Sequence, residues 1–150
     1  MKVLLEKFRE FLVGDIEMTN VAKAILYDDK EKTILILKRS KHLINEESPW
    51  EWDLPGGHAE RDETNLRALV REVWEETALD MYRLNISRMH SSENTVFYLV
   101  DKWRGTINLS DEHDSYAWID PGDIRKYDIG DNYASAVEKA MVDISYDEPE

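Results

Sequence analysis

Cysteine is absent from this sequence, and its absence removes several kinds of chemistry. Without thiols the chain can form no disulfide, no thiolate metal site and no cysteine nucleophile. Structural disulfides belong to oxidising compartments, so a cysteine-free chain is compatible with a reducing one. We therefore expect a cytoplasmic protein.

Long apolar runs are missing as well. No stretch approaches the roughly eighteen apolar residues that a membrane-spanning helix needs. The opening MKVLLEKFREFLVG has charged side chains among its apolar ones, which a secretory signal does not. Its apolar residues recur at helical spacing and predict a short helical extension within residues 1–13. No membrane partner is expected.

Positive charge is scarce. There are 19 lysines and arginines against 32 acidic residues, and the net charge is −13 at pH 7. Such a charge repels nucleic-acid phosphates, so non-specific binding to DNA or RNA is not expected. It disfavours every phosphate-rich ligand unless cations lie between the two anions. The acidity could equally serve only solubility.

The chain of 150 residues is long enough for one folded domain over 1–150, which we expect to end in an acidic tail at 146–150. Helical periodicity predicts helices from about Thr64 to Thr77 and over 131–144. Apolar alternation predicts strands at 20–29, 32–40, 81–90 and 94–103, and shorter strands at 105–109 and 116–119. This mixed order predicts an α/β (α+β) fold.

Three carboxylates of the first of these helices, Glu72, Glu75 and Glu76, lie close together in the sequence. On a helical wheel they form one ridge, about 110° away from the centre of the apolar stripe. Like charges at this spacing repel each other. The ridge is therefore either an ordinary solvated face or a site for a divalent cation, which takes carboxylate oxygens as ligands.

The residues around the ridge decide between these two interpretations. The segment resembles the Nudix box, G-x5-E-x7-R-E-U-x-E-E-x-G-U, in which U is a bulky aliphatic residue. Eight of its nine specified positions match, at Gly57, Glu63, Arg71, Glu72, Val73, Glu75, Glu76 and Leu79. Ala78 stands where the family has glycine. A left-handed helix cap at Ala78 would cost about 1 kcal/mol.

The resemblance implies a fold and an activity. The fold would be an α/β/α sandwich with a central mixed sheet and the box helix packed on it. The activity would be hydrolysis of a diphosphate bond in a nucleoside diphosphate linked to another moiety. The cofactor would be Mg²⁺ or Mn²⁺. The implied metal ligands are the Gly56 carbonyl and the carboxylates of Glu72, Glu75, Glu76 and Glu112.

The resemblance also assigns catalytic roles around the metal. Glu63 and Arg71 would orient Glu72 through ion pairs. Family members differ in which carboxylate activates the water, so the general base is either Glu72 or Glu112. Glu112 lies six positions before Trp118, as a loop glutamate does in family members of this kind.

Substrate contacts are less specific. Arg39 could bind phosphate or simply end a strand in solvent. Asp131 or Asn132 could read a purine edge, although Asp131 also suits a plain helix cap. Five aromatic residues could stack on a base, yet at alternating strand positions they are typical of a core: Trp50, Trp52, Phe97, Tyr98 and Trp103.

The substrate most consistent with the resemblance is an ordinary or damaged (d)NTP. ADP-ribose, a dinucleoside polyphosphate and a nucleotide-capped RNA are alternatives within the same chemistry. A non-catalytic nucleotide sensor of the same fold and an acidic interaction protein are alternatives of other classes. The oligomeric state is left open between monomer and homodimer.

Overall fold

The computed structural model of the protein describes residues 20–147. The helical extension predicted within residues 1–13 lies outside this range, as do residues 148–150 of the predicted tail. The closing helix continues to Asp147, so Tyr146 and Asp147 are helical instead of part of that tail.

Nine strands and two α-helices form within the described range. The strands are β1 (Val21–Asp28), β2 (Thr33–Arg39), β3 (Trp52–Asp53), β4 (Gly56–His58), β5 (Asp80–Met81), β6 (Ile86–Ser92), β7 (Thr95–Val100), β8 (Trp103–Arg104) and β9 (His113–Ile119). The helices are α1 (Asn65–Thr77) and α2 (Asp131–Asp147). Short 3-10 helices lie at Lys41–Leu43, Arg83–Asn85 and Pro121–Lys126.

The predicted mixed sheet is present, and strand β1 is at its centre. It runs parallel to β7, and β7 pairs with β6 as an antiparallel hairpin. On its other side, β1 pairs with β4 at its beginning and with β2 at its end. Strand β2 continues the sheet to β3 and β9. Because β1 changes its partner from β4 to β2, the turn formed by Pro55, Gly56 and Gly57 (the β4 turn) lies beside the middle of the sheet.

The two α-helices cover opposite faces of this sheet. Leu69 and Val73 of α1 pack against one set of strand side chains, which includes Leu26 and Leu35. Val137 and other α2 residues pack against the opposite set, which includes Ile25 and Phe97. Alternate strand residues thus point to opposite cores. The α/β/α sandwich with the box helix on the sheet is confirmed.

Helix α1 begins and ends as its sequence predicts. The Thr64 hydroxyl accepts a hydrogen bond from the Arg67 amide at the start. At the end, Ala78 adopts the left-handed conformation with φ 65°, and its amide donates to the Trp74 carbonyl. Alanine therefore occupies a backbone position that favours glycine.

One strand prediction was wrong, and another was correct only in its second half. The segment 105–109 forms no strand, because the backbone at 108–110 bonds to the end of α1. The Asn108 amide donates to the Thr77 carbonyl, and the Ser110 amide donates to the Glu76 carbonyl. The strand predicted at 81–90 is interrupted by the 3-10 helix Arg83–Asn85 and begins at Ile86. Alternating side chains do not distinguish a strand from an extended segment that bonds elsewhere.

Candidate functional site

A cleft of about 600 Å³ opens where the β4 turn, helix α1 and the loop before β9 meet. The start of β1, the β2–β3 loop and the start of α2 complete its walls. Of the predicted site residues, six are among its lining residues: Arg39, Gly56, Glu72, Glu76, Glu112 and Asn132.

Two glycines bring the turn against helix α1. Gly56 has φ 128°, and a Cβ there would lie 2.1 Å from the Ala22 carbonyl oxygen. A Cβ on Gly57 would lie 2.8 Å from the Glu72 carboxylate. Both positions therefore need glycine, the first for its backbone and the second for close approach of a carboxylate.

Glu76 is more deeply buried than the helical wheel predicted. The wheel placed the carboxylate ridge away from the core, but only 3% of Glu76 is exposed because the turn covers that side of the helix. Its Oε1 accepts a hydrogen bond of 2.7 Å from the Gly56 amide. Burial raises the pKa of Glu76 to about 8, although the nearby Lys23 ammonium opposes the rise.

Arg71 connects the other box carboxylates. Its guanidinium donates two hydrogen bonds of 2.8 Å to Glu63 and one of 2.8 Å to Glu72. It also donates to Glu75 at 3.2 Å. The hydrogen bonds from Arg71 lower the pKa of Glu63 to about 2. The predicted ion pairs are therefore present. Glu75 is half-exposed and is not among the described residues that line the cleft.

Three side chains could hold a metal ion together. Glu76, Glu112 and His113 each offer a ligand atom, and these atoms lie within 4.8 Å of one another. His113 Nε2 lies 3.6 Å from Glu76 Oε2 and 4.0 Å from Asp53 Oδ2. The carboxylates and the Gly56 carbonyl suit Mg²⁺ or Mn²⁺, which prefer oxygen ligands, and the imidazole adds a nitrogen that transition metals accept.

Sequence reasoning did not identify three of the polar residues in the cleft wall, namely Lys23, Asp53 and His113. Lys23 could have been noticed, since it is a charged residue that interrupts the apolar run of β1. Asp53 and His113 carry no such signal, because charged residues in short strands and loops are ordinary. Only folding brings Asp53 and His113 close to Glu76.

The predicted substrate contacts differ in their relation to the cleft. The Arg39 guanidinium donates to the carbonyls of Leu43, Ser48 and Trp50, at 2.8 to 2.9 Å, and so holds the β2–β3 loop. Asn132 lines the cleft, whereas Asp131 is outside the lining residues and pairs with Arg125. A phosphate contact by Arg39 stays a prediction.

The aromatic residues divide between core and cleft. Phe97 is fully buried and Tyr98 nearly so, as expected for core residues. Trp103 stacks on Trp118 with ring centroids 5.6 Å apart. Trp50 is 42% exposed at the cleft. Its side chain and that of Asn132 both approach Gly130: a Cβ built on this glycine would lie 3.4 Å from the Trp50 indole nitrogen and 3.1 Å from Asn132 Oδ1. The two side chains are therefore close to each other.

Within residues 20–147, neither helix combines the length and the apolar composition that crossing a membrane requires.

The NUDIX domain family model matches residues 18–139. The human m7GpppN-mRNA hydrolase NUDT17 is 38% identical over 58 residues, which are 39% of this chain and 17% of that protein. The phosphatase NudJ of Escherichia coli K12 is 46% identical over 39 residues, which are 26% of each chain. The aligned segments thus span about a quarter or less of these relatives.

A solved structure shares the fold over most of the chain. It comes from work on MutT of Aliivibrio salmonicida and Vibrio cholerae, with a TM-score of 0.68 and 21% identity. The likeness covers 83% of this chain and 97% of the other. The family match extends over most of the 150 residues and includes the turn, helix α1 and the loop of Glu112. The chain therefore belongs to the Nudix family.

Proposed function

We propose that the protein is a divalent-metal-dependent hydrolase that cleaves a diphosphate bond in a nucleotide. The observation that carries the proposal is the convergence of Glu76, Glu112 and His113 within 4.8 Å, beside Glu72 and the Gly56 carbonyl. Three separate segments contribute these groups to one cleft. A protein with a net charge of −13 needs cations between itself and a diphosphate.

The metal site would use the oxygen ligands of the cleft. Glu72, Glu76, Glu112 and the Gly56 carbonyl would hold Mg²⁺ or Mn²⁺, with Glu75 as a further candidate from the rim. A divalent ion bound there would neutralise diphosphate oxygens and make a water molecule more acidic. Arg71 would keep Glu72 oriented, and Glu63 would keep Arg71 in place.

One carboxylate would take the proton from the attacking water. Glu72 has one oxygen bonded to Arg71, so its position is held by that bond. Glu112 is exposed in the loop before β9 and also lines the cleft. Both carboxylates line the cleft, and both are candidates for the general base.

For the substrate, we propose an ordinary or damaged (d)NTP. Trp50 and Asn132 both line the cleft and lie close to Gly130, so that an exposed ring and an amide could together bind a base. ADP-ribose, dinucleoside polyphosphates and capped RNA are the alternatives, and the human relative is named as an mRNA hydrolase. A cytoplasmic location and a monomeric or homodimeric state remain predictions.

A substrate panel with Mg²⁺ tests the proposal. Released phosphate and pyrophosphate score the triphosphates, and chromatography of the released nucleoside phosphates scores ADP-ribose, dinucleoside polyphosphates and capped RNA. We expect turnover of at least one nucleoside triphosphate, with pyrophosphate or phosphate released. Faster hydrolysis of ADP-ribose or a dinucleoside polyphosphate would overturn the substrate but keep the chemistry. Nucleotide binding without any hydrolysis would instead favour the non-catalytic sensor.

A further inference from the structure

Lys23 is a buried cation in the wall of the cleft. Its neighbours on β1, Ala22 and Ala24, are fully buried, and only 6% of Lys23 itself is exposed. Burying an ammonium group is unfavourable unless it is paired and hydrogen-bonded. A methionine or leucine would fill the same volume without that cost, so the charge calls for an explanation.

The ammonium group binds one carboxylate and two carbonyls. It donates hydrogen bonds of 3.1 Å to Asp53 Oδ2, to the Leu54 carbonyl and to the Gly56 carbonyl. An ammonium has three N–H donors, and these three bonds use all of them. Lys23 therefore has no donor left for a substrate phosphate, and its partners lie in the protein.

Gly56 is hydrogen-bonded through both its carbonyl and its amide. The Gly56 carbonyl accepts from Lys23, and the Gly56 amide donates to Glu76 Oε1. Glycine at φ 128° has few steric restraints of its own, so its peptide groups need other contacts to fix their directions. Lys23 supplies one such contact on β1, and the neighbouring Ala24 amide donates to the Pro55 carbonyl at 2.7 Å.

We propose that Lys23, neutralised by Asp53, is a positioning residue for the metal site. It fixes the direction of the Gly56 carbonyl and, through the amide of the same residue, the place of the Glu76 carboxylate. Lys23 does not touch the substrate or the reacting atoms. This inference rests on the proposed function, because it assumes that Gly56 and Glu76 bind a divalent ion.

The two possible roles of Lys23, as a charge near the metal site or as a positioning residue, predict opposite changes in divalent-ion affinity when the ammonium is removed. If Lys23 acted only as a charge, its loss would remove repulsion and strengthen divalent-ion binding. If it positions the ligands, its loss weakens binding, by about tenfold or more for an outer contact of this kind. The sign of the change in affinity therefore distinguishes the two roles.

The absence of cysteine allows a matched pair of side chains at this position. The Lys23→Cys protein would be alkylated in denaturant with 2-bromoethylamine, which restores an ammonium at nearly the length of lysine. A second portion would be alkylated with 1-iodopropane, which gives the same length without charge. Both would be refolded, and Mn²⁺ affinity measured by the electron paramagnetic resonance signal of free Mn²⁺.

We expect the aminoethylated protein to bind Mn²⁺ within about twofold of wild type and the propylated protein to bind about tenfold more weakly. Lys38→Cys treated in the same two ways is the control, because Lys38 pairs with Glu51 and is 39% exposed. Both of its forms should match wild type. Equal or tighter binding by the propylated Lys23→Cys protein would overturn the proposal.

Folding is checked by circular dichroism in chelator. If the propylated protein does not refold, the Lys23→Met/Asp53→Leu variant removes both charges and takes its place in the measurement. If neither uncharged form folds, Lys23 serves stability alone and the proposal is wrong. A wild-type protein that neither binds Mn²⁺ nor hydrolyses nucleotides would instead overturn the proposed function itself.

Discussion

The Gly56 amide donates a hydrogen bond of 2.7 Å to Glu76 Oε1, which joins the turn to the facing helix. The second oxygen of the same carboxylate lies 3.6 Å from Nε2 of His113, the first residue of β9. One buried carboxylate thus contacts a turn and a strand that are distant in sequence. Removing its charge or moving the turn would affect all three segments.

Stability without metal should fall as pH rises towards 8. Burial raises the pKa of Glu76 from 4.5 to about 8, so between these values the folded protein holds a proton that the unfolded chain has lost. The folded state therefore loses stability as pH rises through this window. We expect the unfolding midpoint in chelator to decrease across it, and to decrease less in Glu76→Gln. A wild-type profile as flat as that of the variant would contradict the buried acid.

Addition of Mg²⁺ should reverse this trend. The ion binds the ionised carboxylate, so the stabilisation that it causes should grow as pH rises through the same window. Thermal unfolding with and without Mg²⁺ at each pH gives the difference directly. The Glu31→Gln variant, with an exposed glutamate changed in the β1–β2 turn, should behave as wild type.

The two candidate bases can be separated by metal titration. A general base contributes about 10²- to 10⁴-fold to rate, and this loss does not recover when more metal is added. If a glutamate only binds metal, its substitution lowers the activity at low Mg²⁺, and a higher Mg²⁺ concentration restores that activity. We expect one of Glu72→Gln and Glu112→Gln to show the first behaviour. Full recovery of both variants at high Mg²⁺ would exclude both residues as the base.

Ala78→Gly should stabilise the protein by about 1 kcal/mol or less and leave activity unchanged. Alanine at φ 65° is strained, and glycine relieves the strain at some cost in unfolded-state entropy. Ala68→Gly, in the interior of the same helix, should instead destabilise by about 1 kcal/mol or more. Urea unfolding measures both changes. A destabilised Ala78→Gly protein would contradict the observed cap.

Asn132→Ala should raise KM for the preferred triphosphate more than it lowers kcat. A side chain bonded to a base edge contributes about 1–3 kcal/mol to binding. Asp131→Ala is the matched control, since the adjacent carboxylate is 83% exposed and pairs with Arg125 outside the cleft lining. Steady-state kinetics on the same panel compare the two. Equal effects of both substitutions would remove Asn132 from the base site.

The fold class and the carboxylate set followed from local patterns. Strand alternation and helix periodicity predicted an α/β (α+β) order and both α-helices, and fixed spacings identified Glu72, Glu75 and Glu76. The central mixed sheet was implied by the resemblance to the Nudix box. The burial of Glu76 did not follow, because a helical wheel relates a residue to its own apolar stripe and not to a turn that packs beside it. The resemblance implied the Gly56 carbonyl as a metal ligand but gave no indication that Lys23 donates a hydrogen bond to it.

The Lys23–Asp53 pair and His113 needed the folded chain. Lys23 and Asp53 are 30 residues apart, and His113 approaches from a third strand. Such contacts arise from strand register, which a single sequence specifies only weakly where the strands are short. The strand predicted at 105–109 failed for a related reason, because its backbone partners lie on α1.

In the proposed function, the carboxylates of this cleft act through a divalent metal ion. The most direct measurement is the hydrolysis rate of the best nucleotide by chelator-treated protein, before and after Mg²⁺ is restored, for wild type and Glu76→Gln. We expect no turnover without metal, recovery in wild type, and a loss of at least about a hundredfold in the variant. Undiminished turnover after complete metal removal, or a loss below about fivefold in Glu76→Gln, would contradict the account.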